Sequence, residues 1–239
     1  MTLSVAAIFL QIFLLGPGPP AAAASREGEN FYRKGVQAYR RENFSGAAQA
    51  FRRLAEKGHV KAQYFLGFLY DKGRGVVQDD AEAVRWYRKA AEQGYAAAQS
   101  NLGLKYQEGV GGVKNYTEAV KWYRKAAKQG NAIAQYNLGW MYANGKGVPQ
   151  IHSEALKWYR EAASQGNASA QYNLGLMYAN GTGTGQNNVL AHMWSNLASA
   201  NGVGAARAVR DMVAEKMTAK EVAEAQRKAR EWAPRSGKE

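Results

Sequence analysis

Small and large apolar residues alternate with polar ones at helical spacing along most of the chain, and the pattern returns every 36 residues. Ala134, Leu138, Gly139, Met141 and Tyr142 mark the apolar face of one helix, with Gly139 as a point of close approach and Tyr142 filling the space beside it. Asn144-Gly145-Lys146-Gly147 then ends that helix, because glycine accepts the left-handed conformation after a last turn. Ala155, Tyr159, Ala162 and Ala163 form the stripe of a second helix, stopped by Gly166. The same stripe stands earlier as Ala83, Tyr87, Ala90, Ala91 with Gly94, and as Ala119, Tyr123, Ala126, Ala127 with Gly130.

The echo extends beyond the stripe. Ala-Gln recurs at Ala62-Gln63, Ala98-Gln99, Ala134-Gln135 and Ala170-Gln171. Gly67, Gly103, Gly139 and Gly175 follow, then Tyr70, Tyr106, Tyr142 and Tyr178, then Trp86, Trp122, Trp158 and Trp194. A fixed period with so many matched positions predicts an array of helix pairs, each burying its apolar face against its neighbours. Such arrays present long surfaces rather than one enclosed pocket, which favours a binding scaffold over an enzyme. If the tryptophans are core residues, Trp122→Ala costs about 3–5 kcal/mol.

Helix starts follow from spacing. Asp79 with Glu82, Asn115 with Glu118, and Thr218 with Glu221 have the capping-box interval. Ile151 occupies the cap position of another unit, and lacking a side-chain acceptor it weakens that start by roughly 1 kcal/mol. Gly35, Tyr39, Ala47, Phe51, Ala55 and Gly58 follow the same logic with a shorter turn at Glu42-Asn43. Ala205 to Met217 and Thr218 to Trp232 read as two closing helices. The polar outer face of the second helices (Arg85, Arg88, Lys89, Glu92) becomes Met193, Asn196, Leu197 and Ala200 in the last unit, so an apolar partner is expected there.

The string from Ala134 to Val148, followed by Ala155-Leu156-Lys157-Trp158-Tyr159-Arg160-Glu161-Ala162-Ala163, resembles the Sel-one-like repeat, a relative of the tetratricopeptide repeat. About ten positions per unit agree in four successive units. The resemblance implies an all-α fold, a right-handed α-solenoid of helix-turn-helix repeats with C-terminal capping helices. The chain then divides into residues 1–24 as a signal peptide, 25–59 as a divergent tetratricopeptide-like unit, 60–202 as four repeats, and 203–239 as capping helices and a short tail.

The signal reading rests on an uncharged apolar run from Leu3 to Leu15, a Gly/Pro break, and small residues from Ala21 to Ala24, with cleavage near Ala24. No Lys or Arg precedes the run, which leaves an uncleaved anchor as the other reading. The implied location is periplasmic or secreted, with no transmembrane span after signal removal.

Two surfaces are candidates for binding. By resemblance to tetratricopeptide domains, Tyr64, Asn101, Tyr136, Asn137, Trp140, Tyr172 and Asn173 point into a concave groove. Repeated amides suit an extended peptide backbone, because each offers donors and an acceptor. The alternative is that they serve the packing of neighbouring helices. The second surface is basic. Lys plus Arg number 32 against 19 Asp plus Glu, a net charge of +13, which favours acidic partners. Arg85, Arg88 and Lys89, then Lys121, Arg124, Lys125 and Lys128, then Lys157 and Arg160, lie at spacings that share a helix face. They form a ridge able to hold an anionic envelope polymer or lipid surface, or else simply a solvated face. Nucleic acid is not expected, since no motif for it is present.

Chemistry is sparse. There is no cysteine, and His59, His152 and His192 lie in different units without ligand spacing, so no metal or other cofactor is expected. Cysteine-rich members of the resembled family are associated with β-lactam binding or weak hydrolysis. Neither their cysteines nor a Ser-x-x-Lys motif occurs here. No catalytic residue is assigned. The expectation is an exported scaffold for a protein or peptide partner, with a cell-wall or β-lactam hydrolase and an anionic-surface binder as alternatives.

Overall fold

The computed structural model describes residues 26–110, 112 and 114–232. The signal segment read over residues 1–24 lies outside them. The described residues hold twelve α-helices and no strand. These are α1 (Arg26–Arg40), α2 (Phe44–Glu56), α3 (Val60–Lys72), α4 (Asp80–Glu92), α5 (Ala96–Glu108), α6 (Tyr116–Lys128), α7 (Ala132–Asn144), α8 (His152–Ser164), α9 (Ala168–Asn180), α10 (Asn188–Ala200), α11 (Ala206–Ala214) and α12 (Ala219–Glu231). None of them is long and apolar enough to cross a membrane.

The chain folds as two compact units, one up to Leu102 and the other from Gly103. In the first, α1 packs on α2, α2 on α3 and α3 on α4. Its core includes Tyr32, Tyr39, Phe51, Phe65, Leu66, Leu69 and Trp86. Phe51 and Phe65 stack with ring centres 5.2 Å apart. In the second unit each helix from α6 to α10 packs on the next, and α10 also meets α11 and α12. Its cores centre on Tyr123, Leu138 and Met141, and on Tyr159, Leu174 and Met177.

Three expectations about local structure need correction. The partner of Gly139 is the ring of Tyr159, not Tyr142: a Cβ added to Gly139 would lie 2.8 Å from that ring. Gly67 meets Tyr87 and Gly103 meets Tyr123 in the same way. The two earlier capping boxes are half formed. Asp79 and Asn115 do accept from the amides of Glu82 and Glu118. However, Glu82 turns to Arg85 and Trp86, and Glu118 turns to Lys121, because a cationic neighbour outbids a neutral backbone amide. Only at Thr218 and Glu221 are both halves made. The tryptophans are not uniformly core. Trp86 is buried, whereas Trp122, Trp158 and Trp194 are half-buried. The full core cost expected for Trp122→Ala therefore does not apply.

Ile151 starts α8 with no side-chain cap. The tight turn between α1 and α2 places Glu42 at φ 60°, a left-handed position rare for a residue with a side chain.

Candidate functional site

The repeated Ala-Gln pair proves to be a buried clasp. Gln135 donates to the carbonyl of Ala127 at the end of α6 and accepts from Gln165 at the end of α8, at 3.2 and 2.7 Å. Gln171 likewise donates to Ala163 and accepts from Asn201. In the first unit Gln63 donates to Ala55 and accepts from Gln93. One amide thus ties three helices, adding a side-chain donor to a helix-end carbonyl that already accepts from a backbone N–H of the turn that follows.

The repeated tyrosine has a partner of its own. Arg124 donates to the hydroxyl of Tyr142 at 3.0 Å, and Arg160 to that of Tyr178 at 2.9 Å. Arg52 does the same for Tyr70. Each bond joins the second helix of one pair to the first helix of the next. Sequence reading assigned Arg124 and Arg160 only to a surface ridge. The signal that could have corrected it was present: an arginine precedes each repeated tyrosine by 18 residues, at Arg52, Arg88, Arg124 and Arg160.

In the second unit, the residues expected to line a groove come from two first helices. α7 supplies Tyr136, Asn137 and Trp140, and α9 supplies Tyr172 and Asn173, all of them half-buried. The helical turn puts Tyr136 and Trp140, four residues apart, on one face. Tyr136 leans on Tyr159 with ring centres 5.8 Å apart. Trp140 packs against the cores on both sides of α7 and α8. The hydroxyl of Tyr159 is raised well above its ordinary range by burial, then by Tyr136, while Asn173 beside it works the other way. It stays neutral. Asn137 makes no hydrogen bond among the described residues, which leaves its amide open to an outside partner.

In the first unit, Tyr64 is half-buried and meets Tyr95 edge-on at 5.2 Å. Its hydroxyl is raised by burial and then by Tyr95, and Asn101 lies beside it. Asn101 therefore faces the hydroxyl of half-buried Tyr64, whereas Asn137 makes no such contact. The position that holds Tyr64, Tyr136 and Tyr172 holds Ser100 in the intervening repeat, so the tyrosine ladder has a gap there.

The basic residues divide by what they touch. Arg85 pairs with Glu82 at 2.7 Å, and both Arg85 and Lys89 lie over the Trp86 ring. Arg88 is exposed on the same helix. Lys121 pairs with Glu118 at 2.6 Å, and Lys157 reaches Glu154 at 3.9 Å. Lys125 sits over the Trp122 ring at 4.1 Å, and Lys128 is exposed. Arg124 and Arg160 are held by tyrosines, as above. Exposed ion pairs of this kind stabilise little, so the structural share of this face lies mainly with the arginine–tyrosine ties.

The Sel1 repeat model matches residues 60–95, 96–131, 132–167 and 168–203, more than half of the chain. The chain belongs to the Sel1-repeat family. Among solved structures it is similar to a protective antigen of uropathogenic Escherichia coli with an SLR fold, at 39% identity and a TM-score of 0.73, over 78% of this chain and 40% of the antigen. It is also similar to a Sel1 repeat protein from Oxalobacter formigenes, at 34% identity and a TM-score of 0.70, over 78% of this chain and 77% of that one. A curated relative, an exopolysaccharide production negative regulator of Rhizobium leguminosarum bv. viciae, is 38% identical over 56 residues, 23% of this chain and 21% of the regulator. The chain thus matches about a fifth of that regulator and less than half of the antigen. The fold is the Sel1-repeat solenoid of helix pairs, and Sel1 repeats generally serve as non-catalytic scaffolds for protein interaction.

Proposed function

We propose that this Sel1-repeat chain is an exported, periplasmic or secreted adaptor without catalysis, which captures a protein or peptide segment through the face lined by its first helices. The observation that carries the reading is Asn137. It is a half-buried amide without a hydrogen bond among the described residues, flanked on α7 by half-exposed Tyr136 and Trp140 and followed one repeat later by Tyr172 and Asn173. An amide beside rigid aromatic rings offers an extended backbone both polarity and contact area at low entropic cost. Similarity to a regulator is compatible with an adaptor role. Export is supported by the uncharged apolar run and the small residues ending at Ala24.

The test is crosslinking capture from cell envelope with the mature chain and with an Asn137→Ala/Trp140→Ala double variant, alongside thermal unfolding of both. Loss of the captured partner with the array still folded supports the reading. Equal capture by both proteins overturns it.

A further inference from the structure

The helices proposed to capture a partner are set apart by charge. The chain is 21% charged and carries a net charge of +13. Yet α7 and α9 contain no Asp, Glu, Lys, Arg or His, and the 45 residues from Ala162 to Ala206 contain no Asp, Glu, Lys or Arg. The frame of the repeat does not demand this. In the same frame, Lys61 of α3 stands where Ile133 and Ser169 do, and Lys72 of α3 and Glu108 of α5 stand where Asn144 and Asn180 do. Ile133, Asn144, Ser169 and Asn180 are all exposed, so burial does not force them to be neutral. Exposed positions ordinarily carry charge at little cost.

These neutral positions share helix faces with the candidate capture residues. Ile133, Asn137, Trp140 and Asn144 follow at intervals of four, three and four residues, along one side of α7. Ser169, Asn173, Leu176 and Asn180 repeat that row on α9. Ile133 is a large apolar side chain left 39% exposed at the start of its row. The two rows therefore offer amides, a hydroxyl, aliphatic groups and an indole, and no formal charge.

We infer that the segment captured on α7 and α9 is an uncharged, extended stretch of polypeptide bearing small or aliphatic side chains. The inference rests on the capture reading above and adds the partner's chemistry to it. A peptide backbone presents N–H and C=O groups that the amides of Asn137 and Asn173 can meet. Aliphatic side chains lie against Ile133, Trp140 and Leu176 and leave water without desolvating a charge. A carboxylate or ammonium seated there loses its water and finds no opposite charge. The face thus selects against the acidic partners that the net charge of the whole chain favours.

The experiment pans a displayed library of random dodecapeptides against the full-length protein and against the Asn137→Ala/Trp140→Ala variant. The peptides retained by the first alone are then measured. Their common core is expected to lack Asp, Glu, Lys and Arg, and their affinity to change less than about twofold between low and high salt. An Asp or Lys scanned through that core should cost about tenfold at the contacting positions. Ile133→Glu should recover the lysine loss at one of these positions and the aspartate loss at none. That substitution lies on the surface in the first turn of α7, where a carboxylate suits the helix. Thermal unfolding checks that each variant is folded. Peptides that depend on Asn137 and Trp140 but share a charged core, bind with steep salt dependence, or show no lysine position recovered by Ile133→Glu overturn this inference and leave the capture reading standing. Equal retention of every peptide by both proteins overturns the capture reading, and this inference with it.

Discussion

The repeat at 132–167 and the repeat at 168–203 share a frame but differ at nearly every point where a neighbour is required. In the earlier one, the Tyr159 ring lies against Gly139. In the later one Ser195 takes that place against Gly175, and Val209 and Val213 of α11 complete the core around it. Arg160 ties α8 to Tyr178 on the following helix pair; its counterpart is Asn196, and the tyrosine it would reach is replaced by Ala214. Lys157 faces solvent, whereas Met193 is buried, and α10 packs against both α11 and α12. Arginine and tyrosine disappear together because neither is of use without the other. The last repeat has exchanged the chemistry of stacking on another pair for that of being closed.

The largest effect should come from breaking the ring-on-glycine contact. Tyr159→Ala empties the space above Gly139 and is expected to cost about 3–5 kcal/mol in urea unfolding. Ser195→Ala should stay within about 1 kcal/mol, since its buried hydroxyl has no partner among the described residues and its loss removes a desolvation penalty. Gly139→Ala places a methyl 2.8 Å from the Tyr159 ring and should cost about 1–3 kcal/mol alone. In the Tyr159→Ala background that cost should largely vanish. Additive effects in this cycle would show that the two residues do not share one contact.

Much of this comparison was legible in the chain. The period predicted helix pairs because apolar residues at helical spacing must be buried, and the glycines predicted where helices end. The loss of charge at Met193 and Leu197 pointed to a covering element. Contacts that run between pairs were harder to read. Gln63, Gln99, Gln135 and Gln171 are polar residues in apolar surroundings, and spacing alone does not say which carbonyl or amide they meet. The groove was legible only as a set of recurring positions. That Asn137 is open while Asn101 lies beside Tyr64 depends on local packing, which differs between repeats whose letters match. Trp122 and Trp86 carry the same letter, yet only one is buried.

A pH series should separate the two repeats again. His192 stands where the earlier repeat has Leu156, and both are buried. Burial holds the His192 imidazole below its ordinary value, Arg210 adds to this, and Asp211 opposes it. Above about pH 6.5 the imidazole is neutral in both the folded and the unfolded chain, and the full stability is present. As the pH falls below that, the unfolded chain takes a proton that folded His192 resists, so stability is lost. His192→Leu should reduce this acid-side loss in unfolding midpoints between pH 7.5 and 5. Part of the slope should remain, because His59, which caps α3 through Nδ1, is also lowered by burial. An unchanged slope would remove His192 from the account.

The smallest difference lies at the helix starts. Asn187 caps α10 by accepting from the amide of Leu190, whereas Ile151 leaves the equivalent amide of α8 without a side-chain acceptor and is itself exposed. The backbone at the two positions is nearly the same, with φ −148° and ψ 98° at Asn187 and φ −139° and ψ 98° at Ile151. Only the side chain differs, so each site reports on the cap alone. Ile151→Asp should gain about 1 kcal/mol, since the carboxylate both accepts the free amide and lies at the positive end of the helix dipole. Asn187→Ala should lose about the same. If Ile151→Asp is neutral while Asn187→Ala is costly, the isoleucine is returning by apolar contact what the missing cap withholds, and a triple comparison with Ile151→Ala would show it as a loss of stability below both.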